Sequence, residues 1–136
     1  MSENTGAIML LIVESKKSLK EVCDVMEPTA QKHKFGVLGV HNLKEAMVRK
    51  GVAFDRECFV YEVCNPHQAK NVLEARMEIS TALPCRISIY EERGKVKLAT
   101  IRPTEMIASF RAAELTPVAQ EVEKAILAIM TEAAGS

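Results

Sequence analysis

The spacing of apolar positions changes several times along the chain, and each change marks a new element. Residues 7–13, AIMLLIV, are apolar at both parities and rich in branched side chains. That is the pattern of a central strand covered on both faces. From Ser18 the spacing becomes helical: in SLKEVCDVMEPTAQKH, Leu19, Val22, Cys23 and Met26 share one face. Ser18 followed by Glu21 is a capping-box signature, and Pro28 is expected to kink or split the helix. Cys23 lies on the apolar stripe and reads as a small core residue.

Phe35 to Val40 forms the second predicted strand. Asn42 then caps a short helix carrying Leu43, Ala46 and Met47, with Glu45 reaching back and Gly51 suited to the C′ position. Cys58 to Val63 is the third strand, with Phe59, Tyr61 and Val63 on one face and Val60 and Glu62 on the other. Asn65-Pro66 opens a helix to about Ala75, with Ala69, Val72 and Leu73 inward. Residues 85–91 and 95–101 pair as a hairpin around Arg93-Gly94. Thr104 is placed as the cap of a short helix through Phe110. Thr116-Pro117 is placed as the N-cap and N1 of a last helix, striped by Val118, Val122, Ala125, Ile126 and Ile129.

About five strands interleaved with helices, the last three strands close in sequence, predict an α+β fold. The expected architecture is a mostly antiparallel sheet with helices on one face. If the first strand is buried on both sides, a second copy is the simplest cover for the outer face, and a homodimer is expected.

Size and charge narrow the classes of function. A chain of 136 residues reads as a single domain that buries its core without disulfide staples, with 1–6 and 132–136 as flexible ends. Eighteen basic and eighteen acidic side chains cancel, which argues against nucleic acid or an anionic membrane as partner. The N-terminal apolar run of seven residues has an acidic approach and no small-residue cleavage site, unlike a signal peptide. No stretch approaches the roughly 20 apolar residues of a membrane span. A cytoplasmic location is therefore expected, with Cys23, Cys58, Cys64 and Cys85 as thiols.

Candidate chemistry gathers at two strand ends, VYEVCNP and LPCR. Asn65-Pro66 is explained by helix initiation alone, and Cys85 shares its parity with Ile87 and Ile89, so both cysteines suit plain structural roles. Yet Cys64 stands just before a helix N-cap, where the positive helix end is expected to lower a thiol pKa. Cys85 lies 21 residues later, beyond a helix able to fold back and bring the strand ends together. Cys58 is a poorer partner, about 20 Å from Cys64 along an extended strand. A metal reading would use Cys64, His67 and Cys85, but a closed zinc site lacks an evident fourth ligand. Glu62 is the one carboxylate inside a strand. No glycine-rich phosphate loop, zinc-protease helix or serine elbow is present, and no cofactor is assigned.

The segments KFGVLGVHNLKEAMVRKGVAF, CFVYEVCNPHQAKNVLEA and ISTALPCRISIYEERGKVKLATIRP resemble the family called domain of unknown function three-hundred-and-two. Its Cys-Asn-Pro, helical alanine, Leu-Pro-Cys and late proline fall on Cys64, Asn65, Pro66, Ala69, Leu83, Pro84, Cys85 and Pro103. The resemblance implies a β-α-β-β-β-β-α arrangement similar to the TATA-binding-protein fold, often homodimeric, and implies no activity. Where the family often has a small polar residue after the second cysteine, this chain has Arg86. Where it usually has an acidic residue before the late proline, this chain has Arg102. Both changes make a site there more cationic and favour a thiolate or an anionic ligand.

The leading expectation is a homodimeric module with a thiol site for redox or sulfur handling. Cys64 is the activated thiol, Cys85 its resolving partner, and Arg86 and Arg102, with Asn65 and Glu62 nearby, hold negative charge. The alternative is a non-catalytic dimeric module that binds a small ligand, soft metal or haem, with the cysteines as ligands or as structural residues.

Overall fold

Local signals settle most helix starts. Glu21 N donates to Ser18 Oγ at 3.1 Å and Ser18 N donates to Glu21 Oε1 at 2.9 Å, so the capping box is formed. The computed structural model describes residues 9–135. Its elements are β1 (Leu10–Ser15), α1 (Leu19–Lys32), β2 (Gly36–Asn42), α2 (Leu43–Arg49), β3 (Cys58–Cys64) and α3 (Pro66–Ala75), then β4 (Cys85–Glu92), β5 (Lys95–Ile101), α4 (Pro103–Ser109) and α5 (Thr116–Ala134). Short 3-10 segments cover Met77–Ala82 and Ala113–Leu115.

The five strands form one antiparallel sheet in the order β1-β5-β4-β3-β2. β1, α1, β2 to β5 and α5 trace the β-α-β-β-β-β-α frame, with α2, α3 and α4 as additions. Alternation along each strand selects the inner face. Tyr61 and Val63 of β3, Ile87 and Ile89 of β4, and Val96 and Leu98 of β5 meet Val22, Met26, Ala30, Ile126, Ile129 and Met130 of α1 and α5. The β4–β5 turn places Arg93 (φ 54°) and Gly94 (φ 77°) both in the left-handed region, which matches the right-handed twist of the flanking strands.

Several expectations are corrected. β1 is an edge strand rather than a central one, and it is not covered on both faces: Leu11 and Val13 pack on the core, whereas Leu10 is 37% and Ile12 40% exposed. Residues 7 and 8 of the predicted strand, and the expected flexible end 1–6, lie outside the described residues. Pro28 does not split α1, because it sits on the exposed side while Val22, Met26, Thr29 and Ala30 are buried and hold the helix together. Residues 132–134 are the last turn of α5, not a loose end. Ser15 Oγ donates to Ala134 O at 2.8 Å and Lys17 Nζ to Ala133 O at 3.1 Å, satisfying helix-end carbonyls.

Two caps also differ. Arg102 is the N-cap of α4 with Pro103 at its start, and Thr104 donates through N (3.1 Å) and Oγ1 (2.6 Å) to Glu123 Oε1. A carboxylate of α5 thus serves the first turn of α4, the placement a helix dipole favours. Leu115 is the N-cap of α5, so Thr116 is already helical.

The sidedness of α5 gives a test. Ile129 is fully buried and Leu127 is 39% exposed. Ile129→Ala is expected to lower the unfolding free energy by about 2–5 kcal/mol, and Leu127→Ala by about 1 kcal/mol or less. Urea denaturation with an unchanged slope checks this, and equal losses would refute the assigned face.

Candidate functional site

Pairing of β3 with β4 sets Val63 opposite Cys85, so Cys64 follows at the end of β3 while Cys85 begins β4. Asn65 then turns the chain into α3: its Oδ1 accepts from His67 N at 3.0 Å and Gln68 N at 3.2 Å, with Pro66 at the first turn. One strand end, one strand start and one helix start therefore converge. They enclose a hollow of about 40 Å3, closed by Phe35 before β2 and Val122 of α5. Cys64, Asn65, Gln68, Ala69, Val72, Leu83 and Cys85 line the rest, and no charged side chain does. The two cysteines predicted as a pair do share one site, both as free thiols.

The electrostatics differ from expectation. Burial raises the Cys64 thiol pKa above its ordinary value rather than lowering it. Burial, and then the neighbouring Cys64, push Cys85 up to about 11. The helix start does not activate Cys64, because its N–H groups are already taken: Asn65 Oδ1 accepts two of them, and Ala69 N donates to Asn65 O at 2.9 Å. Near neutral pH both groups are uncharged thiols, and the thiolate is the nucleophile.

The remaining predicted site residues are held elsewhere. Glu62 is on the opposite side of β3, with its Oε2 3.4 Å from His41 Nε2 and 3.8 Å from Arg86 Nε. Gly39 permits that arrangement, since a Cβ there would meet Glu62 Oε1 at 2.9 Å. Arg102 Nη1 lies 3.2 Å from Glu123 Oε2. Neither arginine lines the hollow, so their charges serve carboxylates rather than a thiolate. His67 is exposed on α3 and does not line it either, so the Cys64–His67–Cys85 set is not assembled. Cys58 Sγ is 3.8 Å from Ser88 Oγ, and Cys23 packs beside the core.

The residue missed is Gln68. Its Oε1 is buried with no hydrogen-bond donor among the described residues, while its Nε2 lies 3.4 Å from Glu121 Oε1. The signal was present: positions 65, 68, 69 and 72 share a helical face. Phe35 and Val122 carry no such signal, since only tertiary closure brings them in.

The chemistry open to the hollow follows from its size and donors. Ligand pockets for cofactor-sized molecules span about 300–1,000 Å3, so about 40 Å3 does not accommodate a haem. Among the described residues, no group of three or more His, Cys, Asp or Glu side chains is placed to hold a metal ion, so a closed tetrahedral zinc site has no ligand set. Two thiols and an amide oxygen suit one small soft species. A broader groove of about 670 Å3 lies apart, lined by Glu14, Lys16, Lys17 and Lys95, and contains no cysteine. No helix among the described residues is long and apolar enough to cross a membrane.

An α+β protein with one five-stranded antiparallel sheet and a two-thiol hollow at its end is the class that fold and site define. The chain belongs to the family described as domain of unknown function DUF302, whose model matches residues 11–133. It is similar to the solved structure of an uncharacterized conserved protein DUF302 from Bacillus stearothermophilus. The two are 26% identical with a TM-score of 0.88, over 94% of this chain and 99% of that one. No curated protein matches it.

Cys85 gives a pH prediction. Its folded pKa of about 11 lies above the ordinary 9.0, so the folded state holds the proton more tightly than the unfolded chain. The stability this contributes is present below the ordinary value and is lost as pH rises through about 11. Denaturation between these limits should show a steeper loss for the wild type than for Cys85→Val. Parallel pH curves would show that Cys85 is not buried as described.

Proposed function

We propose that this chain is a small binding module in which Cys64 and Cys85 hold one soft monovalent cation of the copper(I) type. The observation that carries this reading is the convergence of two thiols and the donor-less Gln68 Oε1 on one uncharged, apolar hollow. Thiolates select soft monovalent ions, and a pair of sulfurs is a sufficient set for them. Binding exchanges two S–H bonds for two metal–sulfur bonds and releases two protons, with no change of oxidation state. The buried amide oxygen is available as a weak third donor. A redox role for the same pair has less support, because both thiols are shifted away from ionisation and no cation lines the hollow to stabilise a thiolate.

The test is an anaerobic titration with copper(I) against a competing chelator. The wild type should retain one ion per chain, and the Cys64→Ser/Cys85→Ser double variant none. Because two protons leave, apparent affinity should rise about a hundredfold per pH unit through the neutral range. Equal retention by the double variant, or a pH-independent affinity, would falsify the assignment.

The module is also proposed to be a homodimer. The outer ends of β1 and β5 expose Leu10, Ile12 (40%) and Ile101 (45%) side by side, with Leu10 opposite Ile101 in register. Contiguous exposed apolar residues on a sheet face favour a partner surface, and a twofold copy is self-complementary there. Sedimentation at micromolar concentration should give twice the chain mass of 15.0 kDa, and Ile12→Lys should halve it. A wild-type monomer would overturn this reading without touching the metal proposal.

A further inference from the structure

Cys85 serves two hollows, and the second has no role in the reading above. Between α3, α4 and α5 lies another hollow of about 40 Å3, sharing Val72, Leu83, Cys85 and Val122 with the first. Its wall extends to Met106 on α4. Every side chain lining it is pure hydrocarbon apart from two sulfurs, Cys85 Sγ and Met106 Sδ. In the first hollow, by contrast, Asn65 and Gln68 supply amide groups.

Charge separates the two sites. A monovalent cation between two thiolates carries one net negative charge, whereas one thiolate and one thioether around the same ion are neutral overall. A hollow lined only by hydrocarbon disfavours net charge strongly, and thioether and thiolate are both donors that soft monovalent ions accept. Thus the polar-rimmed hollow suits the two-thiolate form and the dry one suits the neutral form. Cys85 is common to both, so an ion can pass between them without leaving sulfur.

We infer that Cys85 and Met106 form a second station for a soft monovalent cation, filled from the Cys64–Cys85 station by exchange of one donor. In the transfer the bond from the ion to Cys64 Sγ breaks and a bond to a Met106 Sδ lone pair forms. Cys64 takes back a proton from solvent, and the ion's oxidation state is unchanged. This step rests on the metal-binding reading of the first hollow, and it explains why a methionine rather than an aliphatic residue meets Cys85 there.

Silver(I) is the probe, because it has the same preference for sulfur without copper's redox chemistry. The full chain, labelled with carbon-13 at the methionine methyl groups, is titrated with silver(I) and followed by NMR, with Met106 assigned by Met106→Leu. The expected result is a shift of the Met106 methyl at stoichiometric silver in the wild type and in Cys64→Ser, lost in Cys85→Ser. Met9 and Met77, which are 43% and 68% exposed, are internal controls. If silver protects Cys64 from alkylation while Met106 stays unmoved, the second station is wrong and the first stands. If neither Cys64 nor Met106 responds, both readings fail. A Met106 shift that persists in Cys85→Ser, or is matched by Met9 and Met77, means adventitious thioether binding and overturns the inference.

Discussion

The structure depends on burial of one sheet face beneath two helices. α1 joins the two edge strands, β1 and β2, across the same face on which α5 returns. Val22, Met26, Ile126, Ile129 and Met130 are fully buried there against Val63, Ile87, Ile89 and Leu98. At about 25 cal/mol per Å2 of apolar surface removed from water, this layer outweighs the mostly exposed ion pairs around it. It also fixes strand order, because a strand joined by a helix crossing one face cannot lie beside its predecessor. Once β4 occupies the centre, Cys85 at its start is held between β3 and the helices beyond.

How much of this was legible follows from which interactions are local. The capping box at Ser18 and Glu21, the cap at Asn65 and the turn at Arg93-Gly94 each depend on a few neighbouring residues, and all are formed where the sequence placed them. The inner stripe of α5 was readable for the same reason. The status of β1 was not, because an apolar run at both parities describes a strand between two layers or an edge strand with an exposed apolar face equally well. Only the sheet order tells these apart, and that depends on contacts with β5, some 90 residues away in sequence. The Glu123 carboxylate that serves the start of α4 was invisible for a similar reason.

The candidate site divides along the same line. That Cys64 and Cys85 meet was inferable, since α3 had to fold back for two antiparallel strands to pair. Their chemical state was not, because it depends on what the helix start and the arginines do with their charge. Asn65 uses the helix start, Glu62 faces Arg86, and Glu123 faces Arg102. A sequence that places positive groups near a thiol says little until the competing acceptors are known. Here each positive group has one, and the thiols are left with burial as the dominant influence.

That outcome gives the hollow a coherent chemistry rather than a failed one. Two neutral thiols in an apolar space are stable to oxidants that attack thiolates, so they stay available to a species that displaces their protons. A soft cation does this, and its affinity for sulfur must exceed the cost of removing two protons from groups that burial makes weaker acids. The same burial therefore sets selectivity. Hard divalent ions prefer oxygen donors and retain water, and a hollow of about 40 Å3 lined mainly by hydrocarbon offers neither. Desolvation, the effect that makes Cys64 and Cys85 poor nucleophiles, is also what would make them discriminating ligands.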